Sequence, residues 1–395
     1  MELPSDLEPP ILEGLARDHG TPLYVTSAET IRRRYRELRN AFPDARVQYA
    51  AKANTNVRIL EILRDLGASL DAVSLGEVIA AEKAGFESER VMYTGVCPSE
   101  EELREVLGRN ILVNADSLSD IEKISKIAPG REIGIRVNPE IGAGHHRKVI
   151  TGGEGSKFGV PESRIMEAYE RAQESLNPVG IHMHIGSGIL EPDPLLEAVR
   201  NLDSIVDGIE NAGIELEYVD IGGGLGVPYR PDQSGIDLEK LAKGVRDNLE
   251  TDAKLVVEPG RFLVAESTVL LTRVTTLKDG FVGVDAGFNT LLRPAMYDAY
   301  HHISNLTRPQ AQDREVTVVG PICESGDVLA RDRRIPDPHE GDLLAVHTAG
   351  AYGFTMASRY NSRPLPAEVL VDGASTDLIR ERETYDDLFE KVRFE

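Results

Sequence analysis

Short apolar runs alternate with amphipathic stretches through the first two thirds of the chain. Eight runs rich in Val, Ile and Ala have the length of β-strands, and they cover residues 47–51, 69–73, 91–94, 111–114, 133–137, 179–185, 218–221 and 255–258. Helix-like stretches lie between them, at 57–66, 75–84, 100–107, 119–127, 161–175, 192–212 and 238–249. This alternation is typical of an α/β protein and predicts a (β/α)₈ barrel of the TIM type.

The rhythm changes after about residue 262, where strand candidates follow one another almost without helices. These candidates cover residues 267–277, 281–284, 315–319, 343–347 and 368–371. An early strand at 23–25, followed by a helix at 28–40, is a plausible addition from the amino terminus. We therefore predict two domains: a barrel at 27–265, and an all-β, sandwich-like or barrel-like domain made of 1–26 and 266–395, which carries Cys323 and Tyr352.

Composition narrows the class of protein. The formal net charge of -22 repels phosphate backbones and argues against nucleic acid as a partner, while it is compatible with a substrate that carries cationic groups. No apolar run reaches the ~18 residues of a membrane-spanning helix, and the acidic residues 1–10 do not resemble a signal peptide, so we expect a cytoplasmic protein with no membrane contact. The two cysteines, Cys97 and Cys323, suggest neither a disulfide framework nor a zinc ribbon.

Polar residues at the carboxyl ends of the predicted barrel strands are the first candidates for chemistry, because active sites of β/α barrels gather there. They are Lys52, Asp71, Arg136, His182, His184 and Glu258, with Arg261 just beyond. Lys52 directly follows a strand, and desolvation at the barrel mouth would favour the neutral amine that forms a Schiff base. A lysine that merely extends its ammonium to water at a strand end is the alternative.

The glycine run after the seventh strand, Gly222, Gly223 and Gly224 with Gly226, is a candidate phosphate site. Backbone without Cβ atoms can approach an anion closely, although tight strand-to-helix turns also use glycine for steric reasons. No Walker A pattern with the required spacing occurs, which disfavours a nucleotide.

His182 and His184 alternate along the sixth strand and therefore face the same side. They could ligate a metal or stack on a flat cofactor ring. We predict no metal, because the strand ends supply no obvious cysteine or carboxylate set at metal spacing. In the second domain the polar cluster 323–327, Cys-Glu-Ser-Gly-Asp, is too polar for a core strand and indicates a site around Cys323.

Eight segments of the chain resemble, in order, the motifs of the alanine-racemase-type (fold type III) decarboxylases that depend on pyridoxal 5′-phosphate (PLP). The segments are 49–54, 71–74, 182–187, 222–226, 258–261, 293–297, 323–327 and 349–352, and the resemblance is greatest to the diaminopimelate decarboxylase family. It implies decarboxylation of meso-2,6-diaminopimelate to L-lysine and CO₂, the last step of lysine biosynthesis, by a lyase that uses PLP.

The resemblance also implies roles for individual residues. Lys52 would form the Schiff base, His184 would pack against the pyridine ring, and Glu258 would face the pyridine nitrogen. The implied cofactor-binding set is Lys52, Asp71, His184, Ser187, Gly222, Gly223, Gly224, Glu258, Gly260, Arg261 and Tyr352.

Substrate contacts are implied at the far end of the amino acid and across a subunit boundary. The implied substrate-binding set is Arg261, Arg293, Tyr297, Glu324 and Tyr352, with the two arginines suited to a distal carboxylate. The implied catalytic set is Lys52, His184 and Cys323, whose thiol would deliver a proton from the second subunit. A homodimer with shared active sites would follow.

Three alternatives remain open from the sequence. The first is a related PLP decarboxylase of carboxynorspermidine, ornithine, lysine or arginine. The second is a catalytically silent relative that binds PLP as a regulator, against which the intact Lys52 and Cys323 argue. The third is a metal-dependent barrel hydrolase that uses His182 and His184.

Overall fold

The computed structural model describes residues 2–144, 151–153 and 155–393. The chain divides into two compact units, which we call the barrel unit (Arg34–Val227 and Ser234–Phe262) and the β-unit (Met1–Arg33, Pro228–Gln233 and Leu263–Glu395). This division follows contacts between residues and does not show which segment binds a cofactor. The predicted domains, 27–265 and 1–26 plus 266–395, therefore remain a prediction.

Strands and helices of the described residues are numbered in chain order. The strands are β1 (Leu23–Ser27), β2 (Arg46–Ala50), β3 (Ser69–Ala72), β4 (Val91–Tyr93), β5 (Leu112–Ala115), β6 (Glu132–Asn138), β7 (Val160–Pro161), β8 (Asn177–Met183), β9 (Tyr218–Asp220), β10 (Lys254–Val257), β11 (Thr268–Lys278), β12 (Phe281–Val284), β13 (Ile303–Asn305), β14 (Asp313–Val319), β15 (Val328–Pro336), β16 (Leu343–Val346), β17 (Ala367–Asp372) and β18 (Ser375–Arg380). The helices are α1 (Pro9–His19), α2 (Ala28–Ala41), α3 (Val57–Asp65), α4 (Leu75–Lys83), α5 (Glu100–Gly108), α6 (Leu118–Ile127), α7 (Ile165–Gln173), α8 (Pro192–Asn211), α9 (Leu238–Asn248), α10 (Arg261–Val264) and α11 (Arg293–Tyr297).

The barrel unit confirms the predicted fold class. Eight parallel strands close on themselves in the order β2, β3, β4, β5, β6, β8, β9 and β10, and β10 pairs with β2 through Val256 and Arg46. The two-residue strand β7 is added beside β6. All carboxyl ends of the barrel strands therefore lie at one mouth, where the predicted site residues meet.

Polar caps begin the helices that follow the strands at this mouth. Side-chain oxygens of Ser74, Ser99 and Ser117 accept the backbone N–H three residues later, which satisfies an N–H that the helix itself leaves open. Each serine is followed at that third position by an acidic residue, the sequence signature of a capping box. The caps fix where each strand-to-helix loop ends.

A tyrosine occupies the interior of the barrel. Tyr218 is buried, and its hydroxyl donates to Oδ1 of Asn114 over 2.6 Å. A Cβ at Gly134 of β6 or at Gly180 of β8 would overlap the tyrosine side chain, so both positions need glycine. The barrel is thus packed with side chains and is not a pore.

The β-unit contains a mixed sheet in the order β15, β14, β12, β11, β1, β17 and β18, with β16 joining β11 to β13. Alternate residues of β1 belong to different apolar clusters: Tyr24 packs in one, and Leu23 and Val25 pack in the other. Both faces of the sheet are consequently buried at β1, as in a sandwich. The β-unit also contains α1 and the short α11, which sequence patterns did not predict. None of the helices in the described ranges combines the length and hydropathy needed to cross a bilayer.

Candidate active site

Lys52 lies in a single 3₁₀ turn, Ala51–Ala53, directly after β2. Its Nζ is 3.3 Å from Oδ2 of Asp71, a buried residue of β3, while about a third of the lysine side chain remains exposed. Burial, and then the charge of Glu258, raise the pKa of Asp71, whereas Lys52 opposes this. The strand-end amine therefore has a buried carboxyl group as its neighbour and access to the barrel mouth.

Glu258 follows β10 and is bonded to His182 of β8. The two side chains are buried, and Nε2 of His182 lies 3.1 Å from Oε2 of Glu258. Burial alone would raise the pKa of Glu258, but His182 and then Lys52 outweigh it and lower that pKa to about 2. The other carboxylate oxygen, Oε1, is buried without a hydrogen-bond partner in the part of the chain that the structure describes. Glu258 is an ionised carboxylate with one oxygen left for a donor.

Asp220, at the end of β9, is a buried residue of the site that the sequence patterns did not single out. Oδ1 of Asp220 accepts the N–H of Gly222 over 2.8 Å. Burial and then Glu258 raise the pKa of Asp220 well above its ordinary value, because two adjacent buried carboxylates do not both ionise. Its position at the carboxyl end of β9, just before the glycine run, is the signal that could have pointed to it.

His182, Asp220 and Glu258 bring potential ligand atoms within 4.8 Å of one another. Sequence spacing did not indicate this set, because it is assembled from the ends of three neighbouring strands, and the predicted absence of a metal stays a prediction. The hydrogen bond between His182 and Glu258 already explains how close these two side chains lie.

His184 follows directly after β8. Its Nδ1 accepts the N–H of Gly223 over 3.1 Å, so the proton of the neutral ring lies on Nε2. Burial, and then the charges of Lys52 and Arg136, lower the pKa of His184 well below its ordinary value. A neutral, flat ring is thus held beside Lys52 and the glycine run.

The glycine run is sterically required. A Cβ at Gly222 would overlap the carbonyl of Met183, and a Cβ at Gly223 would overlap that of Glu258. Gly222 and Gly224 also have positive φ, 71° and 93°. The N–H groups of Gly222 and Gly223 donate to Asp220 and His184, so their predicted part in holding a phosphate stays a prediction.

Two further parts of the mouth involve cations. Arg261, at the start of α10, donates through Nη2 to Oγ of Ser187 over 3.0 Å. Arg136 of β6 is buried, 3.3 Å from Oδ1 of Asp116. Gly260 packs against the Lys52 turn, since a Cβ there would lie 3.2 Å from that of Ala53.

The remaining predicted site residues belong to the β-unit. Arg293 begins α11 and is almost fully buried, and the half-buried Tyr297 ends that helix. Cys323 and Glu324 are exposed in the loop between β14 and β15, where the N–H of Cys323 donates to Oδ1 of Asn361 over 2.8 Å. The half-buried Tyr352 follows β16 with a φ of 57°. Cys97 and Cys323 are both free thiols.

The loop that carries Cys323 is held by a carboxylate that the sequence patterns did not single out for this role. Asp327 accepts the N–H of Ile322 over 2.7 Å and the N–H of Phe288 over 2.6 Å. It is buried, although the loop around it is exposed. The backbone just before Cys323 is therefore fixed.

The barrel mouth fits PLP on two structural grounds. Oε1 of Glu258 is a buried acceptor that a protonated pyridine nitrogen would satisfy. Lys52, His184 and the glycine run lie around it, which supplies an amine, a flat ring and a turn without Cβ atoms. A barrel with these groups at its mouth defines a PLP-dependent enzyme.

Comparison with known proteins identifies the class and then the family. The family model described as "Pyridoxal-dependent decarboxylase, pyridoxal binding domain" matches residues 28–265, which makes the chain a pyridoxal-dependent decarboxylase. It is 48% identical over 393 residues to diaminopimelate decarboxylase of Methanothermobacter thermautotrophicus, a match that covers 95% of this chain and 92% of that one. The corresponding enzyme of Archaeoglobus fulgidus is 45% identical over 395 residues, covering 96% and 94%. The chain belongs to the diaminopimelate decarboxylase family.

Solved structures agree. The Helicobacter pylori diaminopimelate decarboxylase complexed with L-lysine superposes with a TM-score of 0.92 at 38% identity, over 96% of this chain and 98% of that one. A lysine/ornithine decarboxylase of Vibrio vulnificus superposes with a TM-score of 0.82 at 23% identity, over 94% and 99%, which shows the shared fold.

Proposed function

We propose that the chain decarboxylates meso-2,6-diaminopimelate to L-lysine and CO₂ with PLP as its cofactor. The observation that carries this proposal is the 48% identity to a diaminopimelate decarboxylase over nearly the whole length of both chains. The structure of the Helicobacter pylori diaminopimelate decarboxylase has been solved in complex with L-lysine, the product of the reaction proposed for this chain.

In the proposed site Lys52 provides the amine that holds the cofactor, with Asp71 beside it. When bound, PLP would supply an aldehyde that condenses with amines and a ring that accepts the electron pair left on the substrate carbon as CO₂ departs. His184 would pack its neutral ring against the cofactor, and the other residues that would hold it are Ser187, the glycine run, Gly260, Arg261 and Tyr352.

Glu258 keeps a proton on the pyridine nitrogen. Its low pKa makes it an anion throughout the neutral range, and Oε1 is its remaining acceptor. His182 holds the opposite oxygen and so aims the carboxylate. The ring nitrogen then keeps the positive charge that makes the cofactor an electron sink.

The far end of the substrate carries a carboxylate and an ammonium. Arg261 and Arg293 bind that carboxylate, Tyr297 and Tyr352 contribute hydroxyl groups, and Glu324 accepts from the ammonium. Substrates that lack the distal groups would leave these polar groups unpaired, which penalises ornithine and related amines.

Cys323 delivers a proton to the carbon that loses CO₂, and it does so from the second subunit of a homodimer. Its exposure in the loop between β14 and β15 is compatible with a group that serves a neighbouring chain. We further propose that residues 27–265 are the cofactor-binding domain, that 1–26 and 266–395 form the domain that carries Cys323, and that the protein acts in the cytoplasm without nucleic-acid partners.

Product analysis tests the proposal. The purified chain, loaded with PLP, is incubated separately with meso-diaminopimelate, carboxynorspermidine, ornithine, lysine and arginine. We expect L-lysine and CO₂ from diaminopimelate and little turnover of the others. If another of these compounds is turned over preferentially, that compound is the substrate and diaminopimelate is not. If none of the five is turned over, the result favours the catalytically silent PLP-binding regulator.

Lys52→Ala tests the cofactor attachment. We expect loss of the visible absorbance of bound PLP and of nearly all turnover, because the variant lacks the amine that is proposed to form the Schiff base. Lys83→Ala, at an exposed position at the end of α4, is the matched control and should behave like the wild type. Retention of full activity by Lys52→Ala would contradict the mechanism.

A further inference from the structure

Arg293 is held by two neighbours to which no role has so far been assigned. Its Nη1 lies 2.8 Å from Nε2 of His301, and its guanidinium carbon lies 4.4 Å from the centre of the Tyr229 ring. His301 is fully buried, and its ring meets that of Tyr229 edge to face with centroids 5.3 Å apart. The three side chains form one packed group, which we call the arginine clamp.

The hydrogen bonds of the clamp fix the tautomer of His301. A guanidinium has only donors, so Nε2 of His301 must be the acceptor in its bond to Arg293. The ring proton then lies on Nδ1, which donates to the carbonyl of His347 over 2.9 Å. His301 is thus a neutral imidazole that donates to a backbone carbonyl and accepts from the guanidinium of Arg293.

The β-unit sheet sets the position of this imidazole. His301 lies just before β13 and His347 just after β16, and these antiparallel strands pair Ile303 with Val346. The N–H of His347 donates to the carbonyl of His302 over 2.8 Å, which continues the ladder as far as the clamp. The backbone pairing therefore determines where the carbonyl and the imidazole meet.

Tyr229 reaches the clamp from a different part of the chain. It lies in Pro228–Gln233, a short segment between β9 and α9 that belongs to the β-unit. A tyrosine ring under a guanidinium contributes by cation–π attraction, and neither this contact nor the bond to a neutral imidazole neutralises the arginine. Both contacts orient the guanidinium of Arg293.

We propose that His301 and Tyr229 are positioning residues that hold Arg293 for the distal carboxylate of the substrate, and that they thereby determine specificity for an amino acid over the matching diamine. This inference rests on the proposed function, which assigns that carboxylate to Arg293. The two residues act through Arg293 and take no part in the steps at the reacting carbon.

Two ligands isolate the effect, since L-lysine and cadaverine differ only by the distal carboxylate. Binding of each to the PLP-loaded chain is measured by the change in cofactor absorbance. In the wild type we expect L-lysine to bind more tightly. In His301→Leu the affinity for L-lysine should fall about tenfold, while that for cadaverine stays within about twofold, because a bond to a charged donor has been lost.

His301→Gln is the matched rescue. The amide oxygen can accept from Arg293 and the amide nitrogen can donate to the carbonyl of His347, so the preference for L-lysine should return to within about threefold of the wild type. With meso-diaminopimelate, His301→Leu should raise KM more than it lowers kcat. Equal weakening of both ligands without rescue by glutamine would indicate general packing and overturn the inference.

A second pair of variants covers the case in which His301→Leu does not fold. Tyr229 is half-buried, and Tyr229→Phe keeps the ring under Arg293 whereas Tyr229→Leu removes it. We expect only the leucine variant to lose preference for L-lysine, and an unchanged preference would overturn the inference.

Failure of the inference is distinguishable from failure of the proposed function. A wild-type chain that releases no lysine from meso-diaminopimelate contradicts the function itself. A chain that does release lysine, and whose clamp variants keep the wild-type preference for L-lysine over cadaverine, contradicts the clamp alone.

Discussion

Nε2 of His182 lies 3.1 Å from Oε2 of Glu258, and both side chains are shielded from water. The pairing explains how a carboxylate can remain ionised inside the barrel mouth. Burial would otherwise raise the pKa of Glu258, whereas burial and then the charge of Glu258 raise the pKa of its neighbour Asp220.

His182→Leu should move the acid limb of the kcat/KM profile to higher pH. His182 is the main group that lowers the pKa of Glu258 from 4.5 to about 2, and without it burial raises that pKa. A group with a lowered pKa loses its ionised form as pH falls, so the variant should lose activity at a higher pH than the wild type. Profiles from about pH 4 to pH 8 measure the shift, with the exposed His339→Leu as control. Superimposable acid limbs would contradict this account.

Asp220→Asn should stabilise the folded chain as pH rises. Because the folded pKa of Asp220 is raised above 3.8, wild-type stability is highest below that pH and falls as pH rises toward the folded pKa. An amide removes this loss and can still accept the N–H of Gly222. We expect Tm of the variant to exceed that of the wild type by ~2 °C or more at neutral pH, with a smaller gap in acid. A Tm difference independent of pH would speak against a raised pKa.

Gly223→Ala should disrupt the site. The added Cβ would overlap the carbonyl of Glu258, and backbone cannot yield as a flexible side chain can. We expect a loss of about 2–3 kcal/mol in the free energy of unfolding, or weaker PLP binding where the loop shifts instead. Gly208→Ala, inside α8 with open space around its Cβ, is the control and should stabilise by ~0.5–1 kcal/mol. Equal behaviour of the two variants would be the contrary result.

Asp327→Ala should loosen the loop that carries Cys323. Two backbone N–H groups, of Ile322 and Phe288, lose their acceptor. We expect about 1–3 kcal/mol of destabilisation and a fall in kcat with unchanged PLP absorbance. The exposed Asp313→Ala is the control. Urea unfolding measures the stability and steady-state assays measure kcat. A destabilised variant with unchanged kcat would contradict the idea that Asp327 supports catalysis by holding the loop that carries Cys323.

The barrel was predictable because its strands are buried on both sides and read as continuous apolar runs. Strand β15 was missed because its sequence is rich in charge, Arg331 to Arg334 among it, as an exposed edge strand at the end of the sheet permits. Helix α1 was not predicted, although its double proline stands at the start of the helix, where proline is favoured.

Site residues were found where chemistry coincides with a strand end. Lys52 and Glu258 follow β2 and β10 directly, so the strand pattern alone points to them. Asp220 ends β9 and meets the same criterion, but it was not singled out. His301 could not be found in this way, because its partners lie on other parts of the fold. The pairing of β13 with β16 brings His301 to Arg293, and no local spacing contains that information.

The seam between β10 and β2 joins Val256 to Arg46, the last strand of the cylinder to the first. Lys52 and Glu258 stand on opposite sides of this seam, so a growing polypeptide cannot assemble their common surroundings until the eighth strand has been synthesised and docked. PLP can therefore bind only after β10 has paired with β2, and we expect chains truncated before β10 not to bind it.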